Sequence, residues 1–286
     1  MSYRTILTHL NDSRRARRLV DYAAELARTF EARLIGLHVS ARLRLQALPS
    51  PLRHIDVLSS LKFTLDEEAD HLRSIFEDAT GRHRFTSEFR YLTAERVNPS
   101  GIVLARARAA DLVVASQADS QWALSPLLDC SDDLAIGSGR PVIIVPNDKQ
   151  CVAPPNKVII AWNQSRESTR AMFDALPLLK GARAVELLTL DGLDKESRAD
   201  LQLDQETLPA SAVADILADH GVRPTIAIVK TQDIKVGEEI CARAAGERAD
   251  LIVMGAYGHT RLRELVFGGA TRHVLKHMPV PVLFSH

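Results

Sequence analysis

Short apolar runs alternate with longer amphipathic segments along the whole chain. In the first half, this pattern predicts strands near residues 4–10, 32–39, 84–92, 110–115 and 140–145 and helices near 13–29, 56–82, 99–109 and 129–137. In the second half, it predicts strands near 157–162, 184–190, 223–229, 249–254 and 280–285 and helices near 165–180, 206–220, 236–247 and 269–277. Such alternation is typical of an α/β fold, and we expect each half to form a doubly wound parallel sheet of five strands.

The two halves are copies of one pattern. Residues 6–13 match residues 158–165, and residues 110–115 match residues 249–254, which gives an internal repeat of roughly 140–150 residues. Residues 146–156 lie between the copies and have the polar, proline-bearing composition of a linker. We therefore predict two tandem domains, residues 1–147 and residues 156–286.

A group of spaced glycines follows the fourth strand of the second copy. The apolar run 249–254 ends in Gly255, with Gly258 three positions on and Gly268 after a nine-residue spacer. Glycine allows positive φ and a close approach of the backbone to a ligand, and the N–H groups at a helix start favour an anion. The spacing indicates a phosphate-binding loop. Plain turn glycines are the alternative interpretation.

Composition and charge narrow the classes of function. The chain has 286 residues, of which 46% are hydrophobic, and 36 basic residues balance 36 acidic ones, so no net charge favours nucleic acid or an anionic membrane. The basic cluster Arg14, Arg15, Arg17 and Arg18 opens a predicted helix, where a solvated face is favoured over a polyanion site. No run approaches the roughly 18 apolar residues of a membrane span, and the first residues lack the apolar core of a signal peptide. We expect a cytoplasmic protein.

The cysteines and histidines give no metal or redox motif. Cys130, Cys151 and Cys241 are widely separated and odd in number, which argues against a disulfide framework, a zinc site or a dithiol centre. His273 and His277 have the spacing of a metal pair, but no third ligand is evident, so we interpret them as ordinary helix residues. We predict no metal site built from protein side chains.

The glycine spacing resembles the Gly-x2-Gly-x9-Gly-Ser/Thr nucleotide-binding signature of the universal stress protein family. Residues 158–165 are similar to that family's first strand and loop, and residues 280–285 to its closing strand. The resemblance implies an adenine-nucleotide alpha-hydrolase-like fold with strand order 3-2-1-4-5. It also implies that the two domains pair through their fifth strands as an intrachain pseudo-dimer. Two positions depart from the family pattern: Gly269 replaces the Ser/Thr, and Asn163 replaces an Asp.

The same resemblance assigns site residues in the second copy. It places Ala161 and Asn163 beside adenine and ribose, Leu190 against the adenine, and Met254 and Gly255 beside the ribose. It surrounds the phosphates with Gly258, Gly268, Gly269, Ala270 and Thr271. Arg261 is a candidate phosphate contact from within the spacer, as are Arg263 and His259, with simple surface exposure as the alternative for all three.

The first copy lacks the glycines at the corresponding positions. At a constant offset of 139 residues, Ser116, Asp119, Asp129 and Cys130 replace the four glycines at 255, 258, 268 and 269. Two carboxylates would repel phosphate, and each Cβ narrows the approach that glycine permits. We predict that this half binds no nucleotide.

Motifs for catalysis are missing from the sequence. It has no G-x-x-x-x-G-K-S/T loop, no G-x-S-x-G elbow and no H-x-G-H, and the candidate site offers mainly glycine backbone. We therefore favour an ATP-binding stress-response or regulatory protein, with Mg²⁺ on the phosphates, at most weak ATP hydrolysis and a protein partner that the sequence does not identify. A homodimer of the whole chain stays open. The alternatives are a slow ATPase or nucleotidyl-transfer enzyme and a nucleotide-independent interaction scaffold.

Overall fold

The computed structural model describes residues 2–41, 55–94, 99–191, 208–230, 235–256 and 269–286. The chain divides into two compact units, residues 3–134 and residues 135–286. In its described residues, the first unit contains four parallel strands in the order β3-β2-β1-β4. Its elements are β1 (Thr5–His9), α1 (Ser13–Phe30), β2 (Arg33–Ala41), α2 (Ile55–Thr80), β3 (Ser87–Ala94), α3 (Ser100–Ala107), β4 (Leu112–Ser116) and α4 (Ser125–Leu128).

Helix α5 (Ser131–Gly137) crosses from the first unit into the second. The second unit then contains β5 (Val142–Val145), β6 (Lys157–Trp162), α6 (Arg166–Asp174), α7 (Leu176–Gly181), β7 (Ala184–Asp191), α8 (Ala210–Asp219), β8 (Thr225–Lys230), α9 (Val236–Gly246), β9 (Leu251–Gly255), α10 (Ala270–His277) and β10 (Val282–Ser285). Its sheet has the order β5-β10-β9-β6-β7-β8.

The strand orders confirm the α/β topology that the sequence predicts. In the second copy, β8, β7, β6, β9 and β10 are parallel neighbours, which is the order 3-2-1-4-5. The first four strands of the first copy have the order 3-2-1-4. Strand β5 is the fifth strand of the first copy, and it pairs antiparallel with β10, with Ile144 opposite Val282. The fifth strands of the two copies therefore pair, as the resemblance implied.

The central strands are apolar because each is covered on both faces. Ile6, Val113, Ile159 and Val253 are almost fully buried. Runs of this kind, without polar alternation, are typical of parallel strands between two layers of helices. None of the helices in the described ranges has the length and apolarity that a membrane span requires.

One predicted helix is divided in two. The sequence pattern predicts a single helix over 165–180, but α6 ends at Asp174 and α7 begins at Leu176, with Ala175 as the cap between them. Pro177 explains the break, because proline has no N–H to continue the hydrogen-bond ladder and its ring collides with the carbonyl of the preceding turn. The short helix α4, ahead of α5, was not predicted.

Candidate functional site

The carboxyl ends of β6 and β9 form the point at which the strand order of the second sheet reverses. From β6 the chain continues to β7 on one side, whereas β9 lies on the other side of β6. In open α/β sheets, ligands bind at such a switch point beyond the carboxyl ends of the strands. Two predicted site residues lie next to each other there, because Ala161 of β6 and Met254 of β9 are paired in the sheet register.

The turn from β6 into α6 is held by its own polar side chains. Gln164 has a left-handed φ of 65°. Asn163 Oδ1 accepts the backbone N–H of Ser165 at 3.2 Å, and Ser165 Oγ accepts the N–H of Ser168 at 3.1 Å and so caps α6. The amide oxygen of Asn163, a residue that the resemblance places beside adenine and ribose, therefore already accepts a hydrogen bond within its own turn.

Gly255 ends β9 directly against the start of α6. A Cβ atom at Gly255 would lie 2.6 Å from the backbone nitrogen of Ser168 and 2.7 Å from the carbonyl carbon of Glu167. These are backbone atoms of a capped helix, and they have little freedom to move. Close packing of strand on helix therefore requires glycine at this position, a reason that the spacing of the glycines did not indicate.

Helix α10 begins at the third part of the candidate site. Gly269 is its N-cap, and glycine has no side chain with which to cap the first turn. Ala270 is partly buried and Thr271 is buried. Helix α9 packs against this first turn, since a Cβ at Gly237 would lie 2.9 Å from the carbonyl oxygen of Ala270. A helix start of this kind presents backbone N–H groups and a partial positive charge to an anion.

Part of the predicted site lies outside the described residues. Gly258, Arg261 and Gly268 belong to this part, as do His259 and Arg263. Leu190 is described by its backbone in β7, where it is paired with Val229. The described part thus brings Ala161 next to Met254 at the sheet edge and Gly255 against the capped start of α6.

The corresponding place in the first copy contains a buried polar network. Asp129 Oδ1 accepts Arg15 Nη2–H at 2.9 Å and Asn11 Nδ2–H at 2.5 Å. Asp129 Oδ2 accepts the backbone N–H of Asp119 at 2.9 Å. The side chains of Arg15 and Asp129 are 7% and 5% exposed. Arg15 thus pairs with Asp129, which is one of the two carboxylates that we expect to repel a phosphate in this copy.

Arg15 is also a correction to the prediction of a solvated basic face. Its Nη1 donates to the carbonyl of Gln117 at 2.8 Å, its Nε donates to Asp12 at 3.1 Å, and its guanidinium carbon lies 5.0 Å from the ring centre of Trp122. Its neighbour Arg14 is exposed, as the pattern predicted. Periodicity alone could not identify Arg15, because its partners at 117 and 129 lie more than a hundred residues away in the sequence.

Two histidines and a cysteine lie beneath this network. Cys130 Sγ is 3.4 Å from His9 Nδ1. Burial is the main cause that lowers the pKa of His9 to about 3, with His38 and Arg15 nearby as smaller causes. Burial also lowers the pKa of His38, whose Nδ1–H donates to the carbonyl of Leu10 at 2.7 Å, and raises the pKa of the Cys130 thiol. The imidazoles and the thiol are therefore neutral at pH 7.

His9, His38 and Cys130 are not arranged as a metal centre. Among the residues that the structure describes, no group of three or more His, Cys, Asp or Glu side chains could hold a metal ion. Neither His9 nor His38 was singled out by the sequence analysis, because each is an isolated histidine within an apolar strand.

A comparison with models of known protein families identifies the family to which the chain belongs. A model of the universal stress protein family matches residues 2–146 and again residues 155–286. The two matches together span nearly the entire sequence, so the chain belongs to the universal stress protein family and carries two copies of its domain.

Individual relatives are distant. Universal stress protein Slr1230 of Synechocystis is 25% identical over 146 residues, which is 50% of this chain and 46% of that relative. Universal stress protein MJ0577 of Methanocaldococcus jannaschii is 44% identical over 46 residues, 16% of this chain and 28% of the relative. The matches thus cover less than half the length of these curated relatives.

Solved structures support the fold over the whole length. A universal stress protein from Archaeoglobus fulgidus matches with a TM-score of 0.69 and 16% identity, over 98% of this chain and 95% of the other. The functionally unknown protein PA1789 from Pseudomonas aeruginosa matches with a TM-score of 0.57 and 15% identity, over 99% and 92%. At these identities the likeness concerns the fold.

Proposed function

We propose that the chain is an ATP-binding stress-response or regulatory protein whose second domain, residues 156–286, holds the nucleotide. One observation carries the proposal: the chain leaves β9 at the switch point of the sheet through Gly255, and a second glycine, Gly269, is the N-cap of α10. The segment between these two points carries the remaining glycines of the family signature, Gly258 and Gly268.

The residues present fit an adenine nucleotide. Ala161 and Met254 lie side by side in the sheet and offer an apolar, close-packed edge to adenine and ribose. Backbone N–H groups at Gly269, Ala270 and Thr271 are suited to phosphate oxygens, because the start of α10 has a partial positive charge. Mg²⁺ would be bound through the phosphates, because the described residues offer no cluster of protein ligands for it.

Calorimetric titration with ATP and Mg²⁺ tests the proposal. Gly268→Asp and Gly258→Asp each place a carboxylate beside the phosphates, and we expect ATP affinity to fall about a hundredfold or more. Gly101→Asp is the matched control, because a Cβ at Gly101 has nothing within 4 Å and Asp is favourable in the first turn of α3. Wild-type affinity in a folded Gly258→Asp or Gly268→Asp variant would refute the site.

The rate of ATP hydrolysis by the wild-type protein distinguishes binding from catalysis. We expect ATP to stay intact in the complex or to be hydrolysed far more slowly than about 1 per second, since the candidate site offers glycine backbone rather than a positioned base. Sustained turnover at that rate would support the enzyme alternative. Absence of measurable ATP binding by the wild-type protein would support the nucleotide-independent scaffold.

A further inference from the structure

Three different donors converge on the carboxylate of Asp129. They are the guanidinium of Arg15 at 2.9 Å, the side-chain amide of Asn11 at 2.5 Å and the backbone N–H of Asp119 at 2.9 Å. A guanidinium, an amide and a backbone N–H converging on a buried point are the groups with which proteins bind oxyanions such as phosphate. These three donors form an anion-binding site, and the anion that occupies it is the carboxylate of Asp129 itself.

The other bonds of the donors hold them in place independently of Asp129. Arg15 also donates to Gln117 O and to Asp12, and Asn11 also donates to the carbonyl of Leu128 at 3.2 Å. Asn11 Oδ1 in turn lies 3.4 Å from Ser116 Oγ and 3.4 Å from Arg15 Nη2. Removal of the Asp129 carboxylate would therefore leave a pocket lined by these donors, with Arg15 still held by Asp12 and by the carbonyl of Gln117.

Asp129 lies at the position in the internal repeat where the second copy has a glycine of its predicted phosphate-binding loop. Asp129 corresponds to Gly268 and Asp119 to Gly258 at the offset of 139 residues, and Asn11 corresponds to Asn163 in the match of residues 6–13 with 158–165. The bond from Asp119 N–H to the Asp129 carboxylate therefore joins the two positions at which the second copy has its loop glycines.

We propose that the Asp129 carboxylate is a built-in anion that occupies an oxyanion site in the first domain, formed by Arg15, Asn11 and the backbone N–H of Asp119. The side chain substitutes for a phosphate group, so Asp119 and Asp129 are held together in this domain without a ligand. The site accepts a small oxyanion once the carboxylate is removed. The inference does not depend on nucleotide binding by the second domain, and it is tested without nucleotide.

The experiment is rescue by added anion. Asp129→Ala removes one of the two carboxylates that pair with buried Arg15, and we expect the midpoint of thermal unfolding of this unit to fall by roughly 10 °C in chloride buffer. Inorganic phosphate, compared with chloride at equal ionic strength, then restores at least half of that loss in the Asp129→Ala protein, with saturation in the millimolar range. Formate, a single carboxylate, gives the same direction of effect. Wild-type protein shows no comparable response.

Two further variants make the test specific. Asp129→Asn is also less stable, but its side chain still fills the pocket, so phosphate does not rescue it. Glu186→Ala removes the carboxylate of a partly exposed pair with Arg243 in the other unit, and we expect no rescue because water reaches that arginine. Rescue of Asp129→Ala alone supports the built-in anion.

The opposite result is equally clear. If phosphate and formate raise the unfolding midpoint of Asp129→Ala no more than that of the wild type, Asp129 and Arg15 form an ordinary buried ion pair and the proposal fails. If Asp129→Ala does not fold in chloride, the same comparison uses Asp129→Ser, which leaves a small polar group in the pocket. Absence of rescue in Asp129→Ser then overturns the proposal.

Discussion

Gly255 shows how one missing methyl group allows a strand to meet a helix. We expect Gly255→Ala to lower the free energy of unfolding by about 1–3 kcal/mol, because the new Cβ would lie 2.6 Å from the backbone nitrogen of Ser168. The matched control is Gly246→Ala at the end of α9, where a Cβ has nothing within 4 Å and the change is neutral or stabilising by up to about 1 kcal/mol. Urea unfolding measures both. Equal stability of the two variants would show that α6 yields to the methyl group.

His9 gives the first domain a dependence on pH. Its pKa is about 3 in the folded protein, against an ordinary value of 6.5, so the unfolded chain binds a proton that the folded one does not between these values. Stability is therefore lost as the pH falls below 6.5, by up to about 1.4 kcal/mol per pH unit.

The histidine variant isolates this contribution. We expect His9→Gln to lose less stability than the wild type when urea unfolding at about pH 7 is compared with about pH 5, because the imidazole no longer takes up a proton. An unchanged pH dependence in His9→Gln would assign the loss of stability to other groups.

At the scale of elements, the start of α6 depends on one cap. Ser165 Oγ accepts the N–H of Ser168 at 3.1 Å, and we expect Ser165→Ala to cost about 1 kcal/mol of unfolding free energy. Ser165→Asp keeps the cap and should match the wild type within a few tenths of a kcal/mol. Chemical denaturation compares them, and an Asp variant as unstable as the Ala variant would show that the cap bond is not the cause.

The elements themselves were predictable, whereas the polar network was not. An apolar run such as 249–254 predicts a buried strand because burial on both faces acts on every residue of the run. The break between α6 and α7 was predictable in principle, since Pro177 is a local signal. The contacts of Asp129 with Arg15 and Asn11 join residues more than a hundred positions apart, and no periodicity contains such information. For Gly255, the sequence indicated a glycine of functional interest, but it did not indicate the close packing of this residue against α6.

For the whole molecule, the sequence repeat and the compact units do not coincide. Strand β5 belongs to the first copy by sequence, yet it lies in the unit of residues 135–286. It pairs antiparallel with β10. Val142, Ile143 and Ile144 face Phe284, Leu283 and Val282 along this pair, and all six are almost fully buried. The second domain as defined by sequence alone therefore has an apolar strand edge, at β10, that β5 covers in this chain.

Two fragments test this dependence. Residues 151–286 lack β5, so the N–H and C=O groups of β10 would stand open at an apolar edge, and such edges pair with another chain. We expect this fragment to dimerise or to aggregate through β10, and to be less stable towards guanidinium than residues 135–286, in which β5 covers β10. Light scattering after size-exclusion chromatography and denaturation curves decide the matter. A monomeric 151–286 fragment with the stability of 135–286 would contradict it, since β10 would then need no partner strand.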